Sequence, residues 1–195
     1  MRQLLLATHN PHKTREFSEI LGNEFLVRDL SAEPDAPEID ETGATFAENA
    51  ILKAVGISQR FPGLVVGDDS GLEVDALKGA PGVYSARYAS LGAKDSDNIA
   101  RLLSELHKLS IERSYSARFR CVLALARDGE LIDTFEGVVE GAIVEPPRGT
   151  GGFGYDPVFQ PAGLAQTFGE IVPEKKNRIS HRANAIRLLR AALLS

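Results

Sequence analysis

The chain has 195 residues, of which 43% are hydrophobic and 25% are charged, as expected for a globular protein with a sizeable core. Its net charge of -5 argues against a broad nucleic-acid-binding surface, so phosphate would have to be bound by local clusters. Cys121 is the only cysteine, which excludes an intrachain disulfide and a cysteine-based zinc site.

No segment has the features of a signal peptide or a membrane-spanning helix. The N-terminal apolar run, Leu4 to Ala7, is too short for a signal peptide. No apolar stretch approaches the roughly 20 residues that a membrane-spanning helix needs. We therefore expect a cytoplasmic protein with no membrane partner and no nucleic-acid partner.

The chain begins with a pattern of strand, loop and helix. Gln3 to Thr8 is a compact apolar segment that predicts a strand, and Thr14 to Leu21 has apolar residues at helical spacing. The loop between them consists of Thr8, His9, Asn10, Pro11, His12 and Lys13. A helix N-terminus favours phosphate, but the glycines of a Walker loop are absent. The loop therefore predicts either a phosphate site or a purely structural connection.

A second strand and a capped helix follow. Phe25 to Asp29 predicts the strand, and Thr45 with Glu48 forms a capping box that begins a helix running to about Arg60. The inner stripe of this helix is predicted to contain Phe46, Ala50, Ala54 and Ile57. Asp40 and Glu41 precede the helix and Lys53 lies within it. Each of these three charged side chains either belongs to a functional site or is simply solvated.

The segment around Asp68 and Asp69 organises the rest of the sequence. The apolar run Leu64 to Val66 is stopped by glycine and polar residues, which predicts the end of a buried strand and a turn at Ser70-Gly71. Unpaired carboxylates are costly to bury, so this pair requires a nearby cation or reacting group, unless the segment is a solvated turn. Carboxylates are also the ligands that Mg²⁺ prefers.

The second half begins with a helix and a hairpin. Asp95 to Leu109 predicts a helix and Tyr115 to Ala126 a strand. The turn signal Asp128-Gly129 then predicts an antiparallel return strand over Leu131 to Val144. The next ten residues, Glu145 to Gly154, contain two prolines and four glycines and predict irregular structure.

The C-terminal quarter combines an aromatic loop with a basic cluster. Phe153 to Asp156 supplies aromatic rings and one carboxylate, and Ser180 opens a final helix. The cluster consists of Lys175, Lys176, Arg178, His181 and Arg182. Such a cluster at a helix start either binds an anion or a base edge or forms a solvated turn.

Together these features favour a nucleotide substrate and metal-assisted attack at phosphorus. The acids could hold Mg²⁺, the loops could bind phosphate, and an aromatic residue flanked by glycines could stack on a base. Asp69 is the natural general base because it adjoins the predicted turn, with Asp68 as its partner. The motifs of a serine-hydrolase elbow and of a zinc protease are absent.

Six motifs in order resemble those of the inosine triphosphate pyrophosphatase family, in its bacterial form the XTP/dITP diphosphatases. They are Thr8-x-Asn10-x-x-Lys13, Glu41-Thr42-Gly43 with Thr45-Phe46-x-Glu48-Asn49-Ala50, Asp68-Asp69-Ser70-Gly71-Leu72, Gly79-x-Pro81-Gly82-x-x-Ser85-Ala86-Arg87, Phe153-Gly154-Tyr155-Asp156-Pro157 and Ser180-His181-Arg182. The resemblance extends from about residue 3 to residue 190.

The resemblance implies a fold and a reaction. The expected fold is α/β, an elongated mixed central sheet flanked by helices, with two lobes and a nucleotide cleft between them. Residues 1–195 would form this single bilobed domain, usually as a homodimer. The implied reaction is the Mg²⁺-dependent hydrolysis of the purine nucleoside triphosphates XTP, ITP and dITP to the monophosphate and pyrophosphate. This reaction removes deaminated bases before they enter DNA or RNA.

The resemblance also implies residue roles. The substrate contacts would be Thr8, His9, Asn10, Pro11, His12, Lys13, Lys53, Ser70, Phe153, Gly154, Tyr155, Asp156, Lys176, His181 and Arg182. Asp68 and Asp69 would be metal ligands, of which Asp69 resembles the metal-bound general base, and either Asp40 or Glu41 would be the further metal ligand. Phe153 to Asp156 would stack on the base, while Lys176, His181 and Arg182 would contact the purine edge.

The chemistry of the base agrees with those roles. A 6-keto purine presents an acceptor where adenine presents an amino donor, so a donor such as His181 or Arg182 would be left unpaired by adenine. Losing such a buried hydrogen bond rejects an analogue by roughly 10⁴-fold. Two alternatives are a pyrophosphatase acting on other modified nucleotides and a nucleotide-binding regulator without catalysis.

Overall fold

The computed structural model describes residues 2–109 and 115–195. The strands in these ranges are β1 (Arg2–Leu6), β2 (Phe25–Asp29), β3 (Leu64–Val74), β4 (Tyr115–Arg127), β5 (Glu130–Ile143) and β6 (Phe159–Pro161). The α-helices are α1 (Pro11–Leu21), α2 (Phe46–Ser58), α3 (Asp95–His107), α4 (Pro173–Ile179) and α5 (His181–Leu194). None of the described helices is long and apolar enough to cross a membrane.

The strands form one mixed sheet in the order β2-β1-β3-β4-β5-β6. β1 runs parallel to both β2 and β3, while β6 is antiparallel to β5. Asp128 and Gly129 both have positive φ, as the two-residue turn between β4 and β5 requires. The mixed sheet with its flanking helices confirms the predicted fold class and the hairpin.

Strand β3 is longer than the sequence pattern predicts. We expected it to end at the pair Asp68 and Asp69 and to turn at Ser70-Gly71, but it continues without a turn from Leu64 to Val74. Leu72 and Val74 are fully buried, and burial of these apolar residues keeps the chain extended past the polar segment. The prediction of a turn was therefore wrong, and both aspartates lie within an inner strand.

Two predictions about helices also need correction. α1 begins at Pro11 rather than Thr14, because Asn10 caps it and proline is well suited to the first helical position. His12 and Lys13 therefore lie in the first turn of the helix and not in a loop. The segment Glu174 to Arg178, predicted only as a basic cluster, forms most of α4.

The residue contacts divide the chain into two compact units. Unit 1 consists of Met1–Asp69, Cys121–Gly137 and His181–Ser195, and unit 2 consists of Ser70–Arg120 and Val138–Ser180. The bilobed single domain predicted from the resemblance stays a prediction.

Unit 1 has a core on each face of its part of β3. Val66 packs in one buried cluster with residues of α1 and α5, including Phe17 and Ile186. Val65 packs in another with Ile57 of α2. Successive residues of a strand point to opposite faces, so this part of the strand lies between two helical layers.

Unit 2 has its own core, built around aromatic rings. Phe119 packs edge-on against Phe159 with ring centroids 4.7 Å apart, and Phe168 lies 5.3 Å from Phe159. Leu102 and Leu106 of α3 belong to the same buried cluster, as their helical spacing predicts. The irregular segment Glu145 to Gly154 precedes Phe159 in the chain. It contains no helix or strand, as predicted.

Candidate active site

The direction of each acid on β3 is set by its neighbours along the strand. A Cβ on Gly67 would lie 2.1 Å from the carbonyl oxygen of Ala50, so glycine allows α2 to pack directly on this face of β3. Asp69, two residues on, points to the same face as Gly67 and therefore toward α2. Asp68 points to the opposite face, toward α1 and α5.

Asp68 is buried among cations. Its side chain is 1% exposed and accepts from Arg182 of α5, with Nε 2.7 Å from Oδ2 and Nη2 3.4 Å from Oδ1. Lys13 of α1 also donates to Oδ1, and its Nζ lies 3.3 Å from the Asp68 carbonyl oxygen. The Sγ of Cys121 lies 3.5 Å from Oδ2. Asp68 therefore joins α1, β3, β4 and α5.

Arg182 is held by a second acid. Its guanidinium is 1% exposed, and Nη1 donates to Oε2 of Glu16 at 2.5 Å. Burial alone would lower the pKa of Arg182, but Asp68 and Glu16 hold it well above its ordinary value. Burial alone would raise the pKa of Asp68, but Arg182 and Lys13 outweigh that effect and hold it well below. Both groups are therefore charged, as a buried pair with good geometry permits.

Asp69 has different partners, which come from α2. Oδ2 accepts from the amide Nδ2 of Asn49 at 3.1 Å, and Oδ1 lies 3.4 Å from Nζ of Lys53. The same ammonium of Lys53 lies 3.0 Å from Oε1 of Glu41, which precedes the helix. Two carboxylates thus share one cation.

The pKa values reflect this arrangement. Burial raises the pKa of Asp69 above its ordinary value, although Lys53 and Lys13 act against this shift. For Lys53, burial acts to lower the pKa, but the charges of Asp69 and Glu41 raise it overall. Asp69 is therefore a stronger base than an ordinary aspartate, which suits a group that accepts a proton from water.

The residues predicted to bind phosphate surround the start of α1. The side chain of Asn10 accepts from the backbone N–H groups of His12 at 2.9 Å and Lys13 at 3.4 Å. Thr8 accepts from the N–H of Asn10 at 3.2 Å. His9 and Pro11 are exposed beside them. The segment thus presents an ammonium and a helix N-terminus near Asp68, which is compatible with an anion site.

A metal site requires several donor atoms that lie close together. No three His, Cys, Asp or Glu side chains among the described residues are gathered closely enough to hold a metal ion. Glu41 and Asp69 nevertheless converge on the single ammonium of Lys53, so these oxygen donors fit a cation such as Mg²⁺. Asp40 is exposed, and its backbone carbonyl accepts from the N–H of Thr42. Of the two alternatives, Glu41 is the acid that shares a cation with Asp69.

In unit 2 the predicted base-stacking segment is organised around Asp156. This carboxylate is 1% exposed, and its Oδ2 accepts from Nζ of Lys176 at 2.6 Å and from the N–H of Phe153 at 2.9 Å. The ammonium of Lys176 lies 4.7 Å from the centroid of the Phe153 ring. Tyr155 donates its hydroxyl to the carbonyl of Ser85, and Gly154 donates its N–H to Asp95.

The structure thus places the predicted residues in two sets. Unit 1 contains Thr8, His9, Asn10, Pro11, His12, Lys13, Asp40, Glu41, Lys53, Asp68, Asp69, His181 and Arg182. Unit 2 contains Ser70, Phe153, Gly154, Tyr155, Asp156 and Lys176. His181 is 5% exposed at the start of α5, beside Arg182. The roles assigned to both sets stay predictions.

Two buried polar residues of this site received no role from the sequence. Asn49 is fully buried and Glu16 is 9% exposed. Asn49 lies at helical spacing with Phe46, Lys53 and Ile57, so an amide on a buried stripe was the available signal. Glu16 follows Lys13 by three residues and precedes the buried Phe17, but its partner Arg182 is too distant in sequence for a pattern to connect them.

Fold and site together define an α/β protein with buried, cation-paired acids beside a helix N-terminus. The particular family follows from comparison with known proteins. The model of the Ham1 family matches residues 4–192, and the chain belongs to that family.

Relatives and solved structures agree with this assignment. A dITP/XTP pyrophosphatase from Geobacillus kaustophilus is 49% identical over 187 residues, which are 95% of this chain and 91% of that protein. One from Bacillus subtilis is 48% identical over 97% of this chain and 96% of that protein. The structure of a HAM1 protein from Coxiella burnetii matches with a TM-score of 0.88 and 39% identity, covering 100% of this chain and 99% of that one.

Proposed function

We propose that this protein hydrolyses deaminated purine nucleoside triphosphates, namely XTP, ITP and dITP, to the nucleoside monophosphate and pyrophosphate. The names of its relatives support this substrate class. The observation that carries the proposal is Asp69, a buried carboxylate of raised pKa placed beside Lys53 and Glu41. Removing such nucleotides keeps them out of DNA and RNA.

The reaction is a displacement at the α-phosphorus. The oxygen of water forms a new bond to phosphorus as the bond to the bridging oxygen of the β-phosphate breaks. Pyrophosphate leaves with the electron pair of that bond, and the water proton passes to Asp69. Asp69 is suited to this role by its place beside Lys53, whose ammonium also lies against Glu41.

Cations of unit 1 would bind the triphosphate. Lys13 lies in the first turn of α1, where the helix dipole and the N–H groups also favour phosphate. Lys53 lies between Glu41 and Asp69, and its ammonium is suited to compensate negative charge that develops on the leaving oxygens. Asp68 holds the ammonium of Lys13 and also accepts from Arg182, so its carboxylate serves these two cations.

Glu41 and Asp69 would hold Mg²⁺, since their carboxylates already converge on one cation. When bound, the metal would neutralise charge on phosphate oxygens and activate the attacking water. Asp68 is less suited to be a ligand because its oxygens already accept from Lys13 and Arg182. Asp40 is less suited because it is exposed.

The base would stack on Phe153, whose loop is fixed by the bond from its N–H to Asp156. Lys176, held by the same carboxylate, would donate to an acceptor on the base edge, as would His181. These donors match the 6-keto group of hypoxanthine and xanthine and oppose the amino group of adenine. A homodimer, a cytoplasmic location and the lack of a nucleic-acid partner are further predictions.

The test is a product assay on the purified protein with Mg²⁺, comparing dITP and XTP with ATP. Pyrophosphate and phosphate are quantified separately. We expect fast release of pyrophosphate from dITP and XTP and a rate on ATP lower by roughly 10³-fold or more. Release of phosphate in place of pyrophosphate would contradict the proposed bond cleavage, and equal rates on ATP would contradict the proposed base recognition.

A further inference from the structure

The loop that carries Glu41 has little regular structure of its own. Residues 36–43 contain neither helix nor strand. Glu41 is partly exposed, yet its carboxylate approaches the same ammonium as the buried Asp69. Something must therefore fix this loop relative to β3. Ile39 of this loop packs against the buried cluster that contains Val65 of β3.

Asn49 adds a polar connection between Gly43 and Asp69. The side-chain amide of Asn49 is fully buried in the first turns of α2, and both its oxygen and its nitrogen form hydrogen bonds. Oδ1 accepts from the N–H of Gly43 at 2.8 Å, two residues after Glu41, and Nδ2 donates to Oδ2 of Asp69 at 3.1 Å. The orientation of the amide is unique, because a backbone N–H only donates and an ionised carboxylate only accepts.

The fit around Asn49 is close. A Cβ on Gly43 would lie 2.7 Å from Oδ1 of Asn49 and 2.6 Å from Cβ of Glu48, so the loop backbone packs directly on the helix. The carboxylate of Glu48 accepts from the N–H of Ala44 at 2.6 Å. The helix start therefore holds the loop at consecutive residues, and the bond from Asn49 is the one that also reaches Asp69.

We propose that Asn49 is a positioning residue, which sets the separation of the Glu41 and Asp69 carboxylates through its two hydrogen bonds. This inference rests on the proposed function for its catalytic consequence. Its structural part, the fixation of the loop by Asn49, does not depend on that function. Catalysis is sensitive to such placement, since a displacement of about 1 Å reduces a rate by roughly 10²-fold.

The test compares Asn49→Leu with Asn98→Leu. Asn98 of α3 is a matched control: it is 3% exposed, accepts from the N–H of Ala89 at 2.8 Å and donates to the carbonyl of Ala86 at 3.2 Å. Both variants remove a buried amide that joins a helix to a loop, so both should lower the melting temperature to a similar extent.

Only Asn49→Leu should change turnover. We expect kcat for dITP to fall by roughly 100-fold, while KM changes by less than about threefold. Asn98→Leu should keep kcat within about threefold of the wild type. A folded Asn49→Leu variant with a kcat like that of Asn98→Leu would overturn the proposal.

Amide hydrogen exchange gives a second readout that needs no activity. The N–H of Gly43 should exchange at least about tenfold faster in Asn49→Leu and should be unaffected in Asn98→Leu. The variant Asn49→Asp keeps the acceptor for the N–H of Gly43 but places a second carboxylate against that of Asp69. The N–H of Gly43 should therefore still exchange slowly, whereas turnover should be lost. Unchanged exchange at Gly43 in Asn49→Leu, or wild-type turnover in Asn49→Asp, would overturn the proposal.

The two proposals fail in different ways. If the wild type releases no pyrophosphate from dITP or XTP, the proposed function is wrong, and exchange at Gly43 alone decides whether Asn49 fixes the loop. If the wild type is active and Asn49→Leu is equally active, the positioning role is wrong and the function stands.

Discussion

Asp68 and Asp69 are neighbours on β3, but the helices on the two faces of the strand give them different partners. Asp68 meets Lys13 and Arg182, and its pKa is held well below its ordinary value. Asp69 meets one amide and one shared ammonium, and burial raises its pKa. An acid surrounded by cations binds a proton poorly. An acid that is buried with fewer cations nearby binds a proton well, because burial disfavours its charged form.

The partners of Asp68 are those of a structural acid, whereas Asp69 is the acid for which we propose a reactive role. Asp68 stabilises the packing of α1 and α5 on the strand by supplying the counter-charge for two cations. Asp69 and Glu41 retain the capacity to bind a proton or a metal. Strand alternation directs the two adjacent acids to opposite faces, and the helices on those faces give them different partners.

The variant Asp68→Asn tests the structural role of Asp68, and we expect it to have the largest effect on stability. The variant removes the negative charge of Asp68 from the buried guanidinium of Arg182, which is 1% exposed. We expect the free energy of unfolding to fall by about 3 to 5 kcal/mol, measured by urea denaturation.

The control for this variant replaces the three buried charges together, in Asp68→Leu with Arg182→Met and Glu16→Gln, because Arg182 also pairs with Glu16. Exchange of the whole buried group avoids an isolated buried charge, so the triple variant should lose less stability than Asp68→Asn. A loss below about 1 kcal/mol in Asp68→Asn would contradict the structural role, since such values are typical of exposed pairs.

The variant Gly67→Ala should disturb the other face of β3 with an intermediate effect. Its Cβ would lie 2.1 Å from the carbonyl oxygen of Ala50 and 2.8 Å from the backbone nitrogen of Ala54, so α2 must move. We expect a loss of about 1 to 3 kcal/mol in unfolding free energy. Turnover should fall as well, because α2 carries Lys53 and Asn49.

A matched control for that variant is Gly56→Ala in the same helix. Its Cβ would meet Cδ1 of Ile39 at 2.7 Å, the end of a flexible side chain that can move aside. Alanine is also favoured over glycine within a helix by about 1 kcal/mol. We expect Gly56→Ala to have a stability and a turnover near those of the wild type. Equal losses of stability in Gly67→Ala and Gly56→Ala would show that the close packing of α2 on β3 does not cause the loss in Gly67→Ala.

The smallest effect is expected at an exposed ion pair. Arg28 donates to Glu33 at 2.7 Å, and the arginine side chain is 49% exposed. Because water screens such a pair, Glu33→Gln should change the unfolding free energy by less than about 1 kcal/mol. A loss as large as that of Asp68→Asn would mean that burial does not distinguish the two ion pairs.

The sequence predicted the fold class and most elements, because their signals are local. The capping box at Thr45 and Glu48 is present, and the stripe from Phe46 to Ile57 is buried as its spacing predicts. The hairpin turn at Asp128-Gly129 is a two-residue signal that needs no distant partner. The polar residues after the apolar run singled out Asp68 and Asp69, and the resemblance then predicted their roles.

The sequence could not predict the partners of those acids. The prediction of a turn at Ser70 was wrong because a polar segment within an inner strand resembles a strand end in a local window. Arg182 reaches Asp68 from 114 residues away, and no spacing rule connects them. The division of labour between the two acids depends on which helix covers each face, and that is a property of the packed structure.

The most direct test of this division is the turnover of Asp69→Asn on dITP, with urea denaturation verifying that the variant is folded. The loss of the general base should reduce pyrophosphate release by roughly 10²- to 10⁴-fold. The unfolding free energy should stay within about 1 kcal/mol of the wild type, since the raised pKa of Asp69 means that folding does not favour its charged form. A folded Asp69→Asn variant with near-normal turnover would contradict the assignment of Asp69 as the reactive acid.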